Sequence, residues 1–295
     1  MEKKHIPVLV KEVIEQLHVV DSGLYVDATF GAGGHTTALL LSNPTISVVA
    51  LDWDKKSIEE FGPALQETFK ERLHIVWSNF SHIDRVLKKL KIQHVDGILA
   101  DFGTSLMHFK EREGFSFAID TPLDMRMSPA HQKITASNIV NEASLDELTI
   151  ILNRGGEVQF AYKIAKAIVE QRKRHFIETT KNLADIVEKV VGRNYKKIHA
   201  ATKTFQALRI AVNKEIENIH AFLTNATPFL KQGGRIACIS FHSLEDAKVK
   251  EFYQQYAIMN ILEIINKKPI IADTEELLSN PSSRSAKLRV AEKLP

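Results

Sequence analysis

The chain has 295 residues, a formal net charge of +3 and 44% hydrophobic residues. This is ordinary globular composition, which excludes a disordered, collagen-like or coiled-coil chain and leaves room for about two domains. No apolar run approaches the roughly 20 residues that span a bilayer, and the start, Met1 to Pro7, lacks a signal-peptide apolar core. A cytoplasmic protein with no membrane partner is expected. The single cysteine, Cys238, excludes an internal disulfide and a cysteine-cluster metal site, and its place in an apolar run marks it as a small buried residue.

In the first half, short apolar runs alternate with helical patterns. Leu24–Phe30, Ile46–Asp52, Leu73–Trp77 and Val95–Asp101 are rich in Val and Ile without clean alternation, as strands covered on both faces are. Helical stretches fall between them at Thr36–Leu41, Lys55–Lys70 and Ile83–Leu90. This rhythm predicts a parallel sheet with right-handed crossovers.

From about residue 109 to 205 the strands stop. Ala161, Ile164, Ala165, Ile168 and Val169 keep helical spacing, as do Leu183, Ile186, Val187, Val190 and Val191, with Gly192 as the residue that ends the helix. Phe205, Leu208, Val212, Ile216, Ile219 and Leu223 share one stripe, which predicts a single long helix ending before Pro228. Strand chemistry returns at Arg235–Phe241, with two further candidates at Asn260–Ile265 and Ala286–Val290. The simplest account is one α/β domain interrupted by a helical insertion after the fourth strand.

Asp27-Ala-Thr-Phe-Gly-Ala-Gly-Gly-His35 directly follows the first strand. Glycines let the backbone turn sharply and let a ligand approach it, and the free amides of the next helix then face that ligand. A P-loop would need a terminal Gly-Lys-Ser/Thr, which is missing. A dinucleotide fingerprint is met at Gly31 and Gly33, but Thr36 stands at its third position. An S-adenosylmethionine loop, with an acid ending the strand before a G-x-G turn, fits Asp27. A tight turn without a ligand is the plain alternative.

Asp52 ends the second strand, where a carboxylate can accept hydrogen bonds from ribose hydroxyls. NAD enzymes and methyltransferases share that device. Phe80 follows the third strand and suits either an adenine contact or the core. Gly33, Asp52, Phe80 and Asp101 all fall at strand carboxyl ends, the ligand edge of open α/β sheets.

Positive charge is concentrated in three segments. Arg193, Lys196, Lys197, Lys203, Arg209 and Lys214 lie in a stretch without an acid, residues 162–176 carry a surplus of four, and 281–295 a surplus of three. Basic segments on a near-neutral protein are the footprint of a polyanion partner, although a solvated helix face explains most single runs. Phe102, Phe115 and Phe117 lie close by in sequence and suit either base stacking or the core. The histidines, His5, His35, His108, His199 and His242 among them, are too scattered for metal-ligand spacing, and no metal is expected.

Several long strings carry a resemblance. They are His5-Ile-Pro-Val-Leu9, Tyr25–His35, Leu51-Asp-Trp-Asp54, Gly114-Phe-Ser-Phe117, Leu123-Asp-Met-Arg-Met127, Thr204–Asn213, Ser240–Asp246 and Ser283–Arg289. Over essentially its whole length the chain resembles the family of ribosomal RNA small subunit methyltransferase H, also called MraW. The resemblance implies a class I, Rossmann-like S-adenosylmethionine-dependent methyltransferase domain with an inserted all-helical substrate domain. Residues 1–108 and 207–295 would form the first, and 109–206 the second.

The implied reaction is methylation of the exocyclic N4 of a cytidine in the decoding region of bacterial 16S rRNA. S-adenosyl-L-methionine is the implied donor, and the small-subunit rRNA or the small ribosomal subunit the partner. A monomer or homodimer is expected. The family's cofactor positions fall at Gly33, Gly34 and His35, at Asp52 for the ribose, Phe80 for the adenine, Asp101 near the methyl group, and His108 where the family usually has Gln. Asp101, Ser105 and His242 are the catalytic candidates, and Arg126, Lys203 and Arg209 the RNA contacts, with Arg209 also a candidate structural ion-pair partner. Two other readings remain. An NAD-dependent oxidoreductase has no use for the basic segments. A non-catalytic rRNA-binding or assembly protein would not need the intact glycine loop.

Overall fold

Residues 6–103, 113–192 and 199–295 are described by a computed structural model. Five apolar runs become parallel strands: β1 (Leu24–Asp27), β2 (Ser47–Asp52), β3 (Leu73–Trp77), β4 (Val95–Asp101) and β5 (Leu230–Ser240). Two more, β6 (Leu262–Ile264) and β7 (Lys287–Lys293), run antiparallel, β7 against β5 and β6 against β7. The order across the sheet is β3-β2-β1-β4-β5-β7-β6.

Both faces of the central strands are covered, as their unbroken apolar runs require. Val26, Val49, Ile98 and Cys238 pack on one face with Phe222 and Phe252. Tyr25, Val48, Leu99 and Ile239 alternate with them and pack on the other face with Leu9 and Leu39. Burial pushes the Cys238 thiol up to about 12, so it is inert and serves as packing.

Four helices belong to the first half: α1 (Val10–Leu17), α2 (Gly34–Ser42), α3 (Lys55–Phe69) and α4 (Ile83–Lys89). The chain leaves β1 to one side for β2 and β3, then returns to the other side for β4. That reversal between β1 and β4 is the topological switch point, where an open sheet forms its ligand crevice at the strand carboxyl ends.

The chain packs as two compact units, Met1–Gly103 with Ile216–Pro295, and Thr104–Glu215. The second holds α5 (Ala136–Glu142), α6 (Leu145–Arg154), α7 (Ala161–Arg172), α8 (Thr180–Val191) and α9 (Thr202–Asn213). Reciprocal capping boxes start three of these helices, with Thr135, Ser144 and Thr179 as caps. The predicted stripes bury Ile164, Ile168, Leu183 and Val187 against Leu148, Leu152 and Leu208. Gly192 closes α8 at φ 88°.

The single long helix expected from Phe205 to Leu223 is two. α9 stops at Asn213, Lys214 turns left-handed at φ 50°, and α10 (Glu215–Ala226) begins. The cause is tertiary. Asn213 is buried, and its Nδ2 donates to the carbonyl oxygens of Met125 (2.8 Å) and Arg209 (2.9 Å). Its Oδ1 accepts from the Met127 amide (2.9 Å) and Gln132 Nε2 (2.8 Å). The second unit ends at Glu215, beside this break. In the sheet-bearing unit, α11 (Ser243–Ile258) follows β5, and α12 (Thr274–Ser279) precedes β7.

Candidate functional site

The loop after β1 is built by its own residues and by the neighbouring strand ends. Asp27 is fully buried, and its Oδ2 accepts from the Thr36 hydroxyl (2.6 Å) while its Oδ1 accepts from the Thr29 amide (3.1 Å). Thr36, the residue that breaks the dinucleotide fingerprint, is thus the brace that ties α2 to β1. Gly31 has φ +52°, and its amide donates to Asp52 Oδ2 at 2.6 Å. Gly33 caps α2 at φ +75°, and a Cβ there would stand 2.2 Å from Leu65 Cδ1. The dihedral selects glycine, and Leu65 occupies the space a side chain would need.

Asp52 ends β2 and accepts from Gly31 on one oxygen and from the Asp54 amide (2.7 Å) on the other. It therefore sets the shape of the loop as well as placing a carboxylate at the crevice. Gly34 opens α2. That helix has no side-chain cap and no acid in its first turn, so its amino-terminal partial charge is uncompensated by the chain.

His35 is buried beneath the loop. Its Nε2 lies 2.8 Å from the Val8 carbonyl oxygen and its Nδ1 3.8 Å from Asp101 Oδ2. Asp101 ends β4. Its backbone amide donates to Thr29 Oγ1 (2.7 Å), which locks β4 to the loop. Burial pushes the Asp101 carboxyl up to about 6, and the charge of His35 and the Gly103 amide hold it back. Thr29 was not singled out by the sequence reading, because its role exists only once β1 and β4 are adjacent.

Residues 2–294 match the model of the MraW methylase family. The chain belongs to that family. Its curated relatives include the ribosomal RNA small subunit methyltransferases H of a Sulfurihydrogenibium species (45% identity), Persephonella marina (44%) and Caldicellulosiruptor bescii (43%), each alignment covering 99% of both chains. Among solved structures, an rRNA methylase from Streptococcus thermophilus gives a TM-score of 0.42 at 12% identity, covering 99% of each chain. The sheet of this family member is that of a class I, Rossmann-like methyltransferase.

The remaining sequence candidates fall in different surroundings. Phe80 follows β3, and its ring packs at 5.6 Å from both Phe102 and Phe222. It is half-buried at the edge of the core, and Phe102 and Phe115 are core residues outright. Phe117 stacks on His199 with ring centroids 4.3 Å apart. His242 is the cap of α11. Its Nδ1 accepts from the Glu245 amide (3.4 Å), and its Nε2 lies 3.2 Å from Glu245 Oε1. Ser105 and His108 lie outside the described residues, as do Arg193, Lys196 and Lys197.

The three RNA candidates all lie in the helical unit. Arg126 holds Asp124 through Nε (2.8 Å) and Nη2 (2.7 Å), and its Nη1 donates to the Gln132 carbonyl (3.0 Å). Arg209 holds Glu215 through two bonds of 2.8 and 2.9 Å, the structural pairing that its sequence context allowed. Lys203 is exposed and donates to the Gly156 carbonyl at 3.1 Å. A residue missed from sequence is Glu245, whose Oε2 accepts from the amides of Phe241 (2.7 Å) and His242 (3.2 Å). Its signal was present as an acid three residues after the cap of an apolar helix. No helix of the described residues is long and apolar enough to cross a membrane.

Proposed function

We propose that this chain transfers the methyl group of S-adenosyl-L-methionine to the exocyclic N4 of a cytidine in small-subunit rRNA. The relatives' names supply the rRNA, and the family resemblance supplies the N4 of cytidine. The observation that carries the reading in this chain is the open amino terminus of α2 between two strand-end carboxylates, Asp52 and Asp101. An uncapped helix start suits the carboxylate of an amino-acid moiety. Asp52 suits ribose hydroxyls, since a carboxylate has about four acceptor positions. Gly33 and Gly34 set the turn into α2, with Leu65 and Pro7 packed where their side chains would be, and the edge of Phe80 is the candidate adenine contact. When bound, the donor supplies a methyl group made electrophilic by its sulfonium.

The amino lone pair of cytosine is delocalised into the ring, so the nitrogen is a poor nucleophile. Asp101 is the candidate to accept an amino N–H and so favour a localised lone pair. Its raised carboxyl pKa of about 6 leaves it ionised at neutral pH and more basic than an ordinary carboxylate, as a proton acceptor should be. On methyl transfer Asp101 would take the proton released by the amine and pass it to solvent. Positioning supplies most of the rate in such a displacement. The target base must leave its stack to reach the crevice. The helical insertion is assigned to hold the surrounding RNA, and exposed Lys203 is its candidate backbone contact. Ser105 and His242 are the further candidates for orienting the amine.

The test is direct. Purified protein, S-adenosylmethionine and small subunits lacking the modification are incubated, and the digested rRNA is analysed for N4-methylcytidine by mass spectrometry. The nucleoside is expected with the wild type and not with Asp101→Ala. Donor binding without product overturns the choice of substrate, and absence of both overturns the reading in favour of a non-catalytic rRNA-binding protein.

A further inference from the structure

The string Ser283–Arg289 is not used by the donor crevice. It forms one wall of a cavity of about 290 Å³, lined among others by Phe241, Ser243, Leu277, Arg284, Ser285 and Lys287. The cavity sits where β5 passes into α11 and where β7 begins, so it opens at the carboxyl edge of β5. Phe241 links it to the crevice. A Cβ on Gly103 would stand 2.4 Å from Phe241 Cε2, so this ring lies against the backbone two residues after Asp101.

The chemistry of the lining is that of an anion site with an apolar back. Arg284, Lys287, Ser243 and Ser285 line it, and among the described residues no carboxylate does. Lys287 Nζ is 3.6 Å from Asp246 Oδ2, but Arg289 holds that carboxylate much closer, at 2.6 Å to Oδ1. Arg284 is exposed and makes no ion pair among the described residues. α11, a helix of 16 residues, starts at this wall with Ser243. The two acids of its first turn have partners of their own, Glu245 in the Phe241 and His242 amides and Asp246 in Arg289. Arg284, Lys287 and the hydroxyl-bearing Ser243 and Ser285 thus favour negative charge in one concavity.

We propose that this cavity seats a phosphodiester of the RNA strand that carries the target base, with Arg284 as its anchor. The inference rests on the rRNA-methylation reading. A base drawn out of its stack brings its flanking phosphates with it, and contacts to those phosphates set the register of the strand. Phe241, which lines the cavity and lies against Gly103, puts such a seat beside the strand end that carries Asp101. Lys287 and the hydroxyls of Ser243 and Ser285 complete the cradle.

The experiment is filter binding of small-subunit rRNA at several salt concentrations to wild type, Arg284→Ala, Ser285→Glu and Lys250→Ala. S-adenosylmethionine binding by calorimetry and methyl transfer by the wild type are measured beside it. Arg284 and Ser285 are exposed, so their variants fold. Lys250 is an exposed cation of α11 outside the cavity. Arg284→Ala is expected to weaken rRNA binding about tenfold, the scale of a charge-assisted hydrogen bond. The slope of log affinity against log salt should fall by about one. Ser285→Glu should weaken binding to a similar degree, and Lys250→Ala should bind as the wild type. Donor affinity should be unchanged in all three.

Equal rRNA affinity of wild type and Arg284→Ala overturns the proposal, as does an equal loss in Lys250→Ala, which would mean diffuse attraction only. A loss of donor affinity in place of rRNA affinity also overturns it and hands the cavity to the cofactor. Failure of the wild type to methylate rRNA sinks the functional reading instead, and the binding comparison still decides whether the cavity holds RNA.

Discussion

His35 Nδ1 stands 3.8 Å from Asp101 Oδ2 while its Nε2 stands 2.8 Å from the Val8 carbonyl oxygen. A carbonyl only accepts, so Nε2 carries a proton and the ring's other nitrogen is the one that faces the carboxyl group. In the neutral ring that nitrogen presents a lone pair. The contact is therefore attractive only when a proton sits on Nδ1 or on Asp101. Asp27 from β1 and Glu245 from α11 also face Asp101 and disfavour its negative charge.

This predicts a pH-dependent stability cost. The Asp101 carboxyl rises from 3.8 to about 6 on folding, chiefly by desolvation. The folded chain then binds the proton more tightly than the unfolded chain, so this group's contribution to stability falls as pH rises from about 4 to about 6 and stays low above. A shift of two units corresponds to about 3 kcal/mol. Asp101→Asn, which does not titrate there, should gain about that much on the wild type between pH 4 and pH 8. Urea unfolding at both pH values measures it, and a pH-independent difference would contradict the buried carboxyl.

The same pair predicts the acid limb of the methyl-transfer rate. The rate should fall below about pH 6 as Asp101 takes up a proton. His35 lowers the Asp101 pKa by its charge, so His35→Asn should move the limb to higher pH. Single-turnover rates at saturating donor between pH 5 and 9 check this. An unmoved limb means that His35 serves only to hold Val8.

Asp52 has two tasks, and its variants separate them. Asp52→Ala removes the acceptor for Gly31 and Asp54 and the candidate ribose contact, and should weaken donor binding at least about tenfold. Asp52→Asn keeps one acceptor and should lose less. Calorimetric titration with S-adenosylmethionine decides, and equal affinity in Asp52→Ala would remove the ribose assignment.

Asn213→Ala should lower stability by about 2 kcal/mol or more, because it strands the buried Met125 carbonyl and the partly buried Met127 amide. Chemical unfolding should show the loss. A change below about 0.5 kcal/mol would mean that the break at Lys214 has another cause.

Lys203 and Arg209 should behave oppositely. Lys203→Ala should reduce rRNA affinity and its salt slope while changing stability by no more than about 0.5 kcal/mol. Arg209→Ala strands Glu215 in a largely buried pair and should cost about 3 kcal/mol or more of stability. Thermal unfolding and filter binding of the two variants give the comparison.

Much of this was local and therefore legible in the sequence. The central strands announce themselves because a strand buried on both faces must be apolar throughout, as Val48–Leu51 is. The turn at Gly31 and Gly33 shows itself because positive φ selects glycine. The helical stripes of Ile164–Ile168 and Leu183–Val187 show because one face of each is buried. What tertiary structure alone decided depends on partners far along the chain. Asn213 ends α9 because Met125 and Met127 lie beside it. His35 faces Asp101 because Val8 fixes its proton. Arg284 and Phe241 line one cavity because β7 runs back along β5. Apolar periodicity records which face is buried, and it carries no record of which distant polar group a side chain will meet.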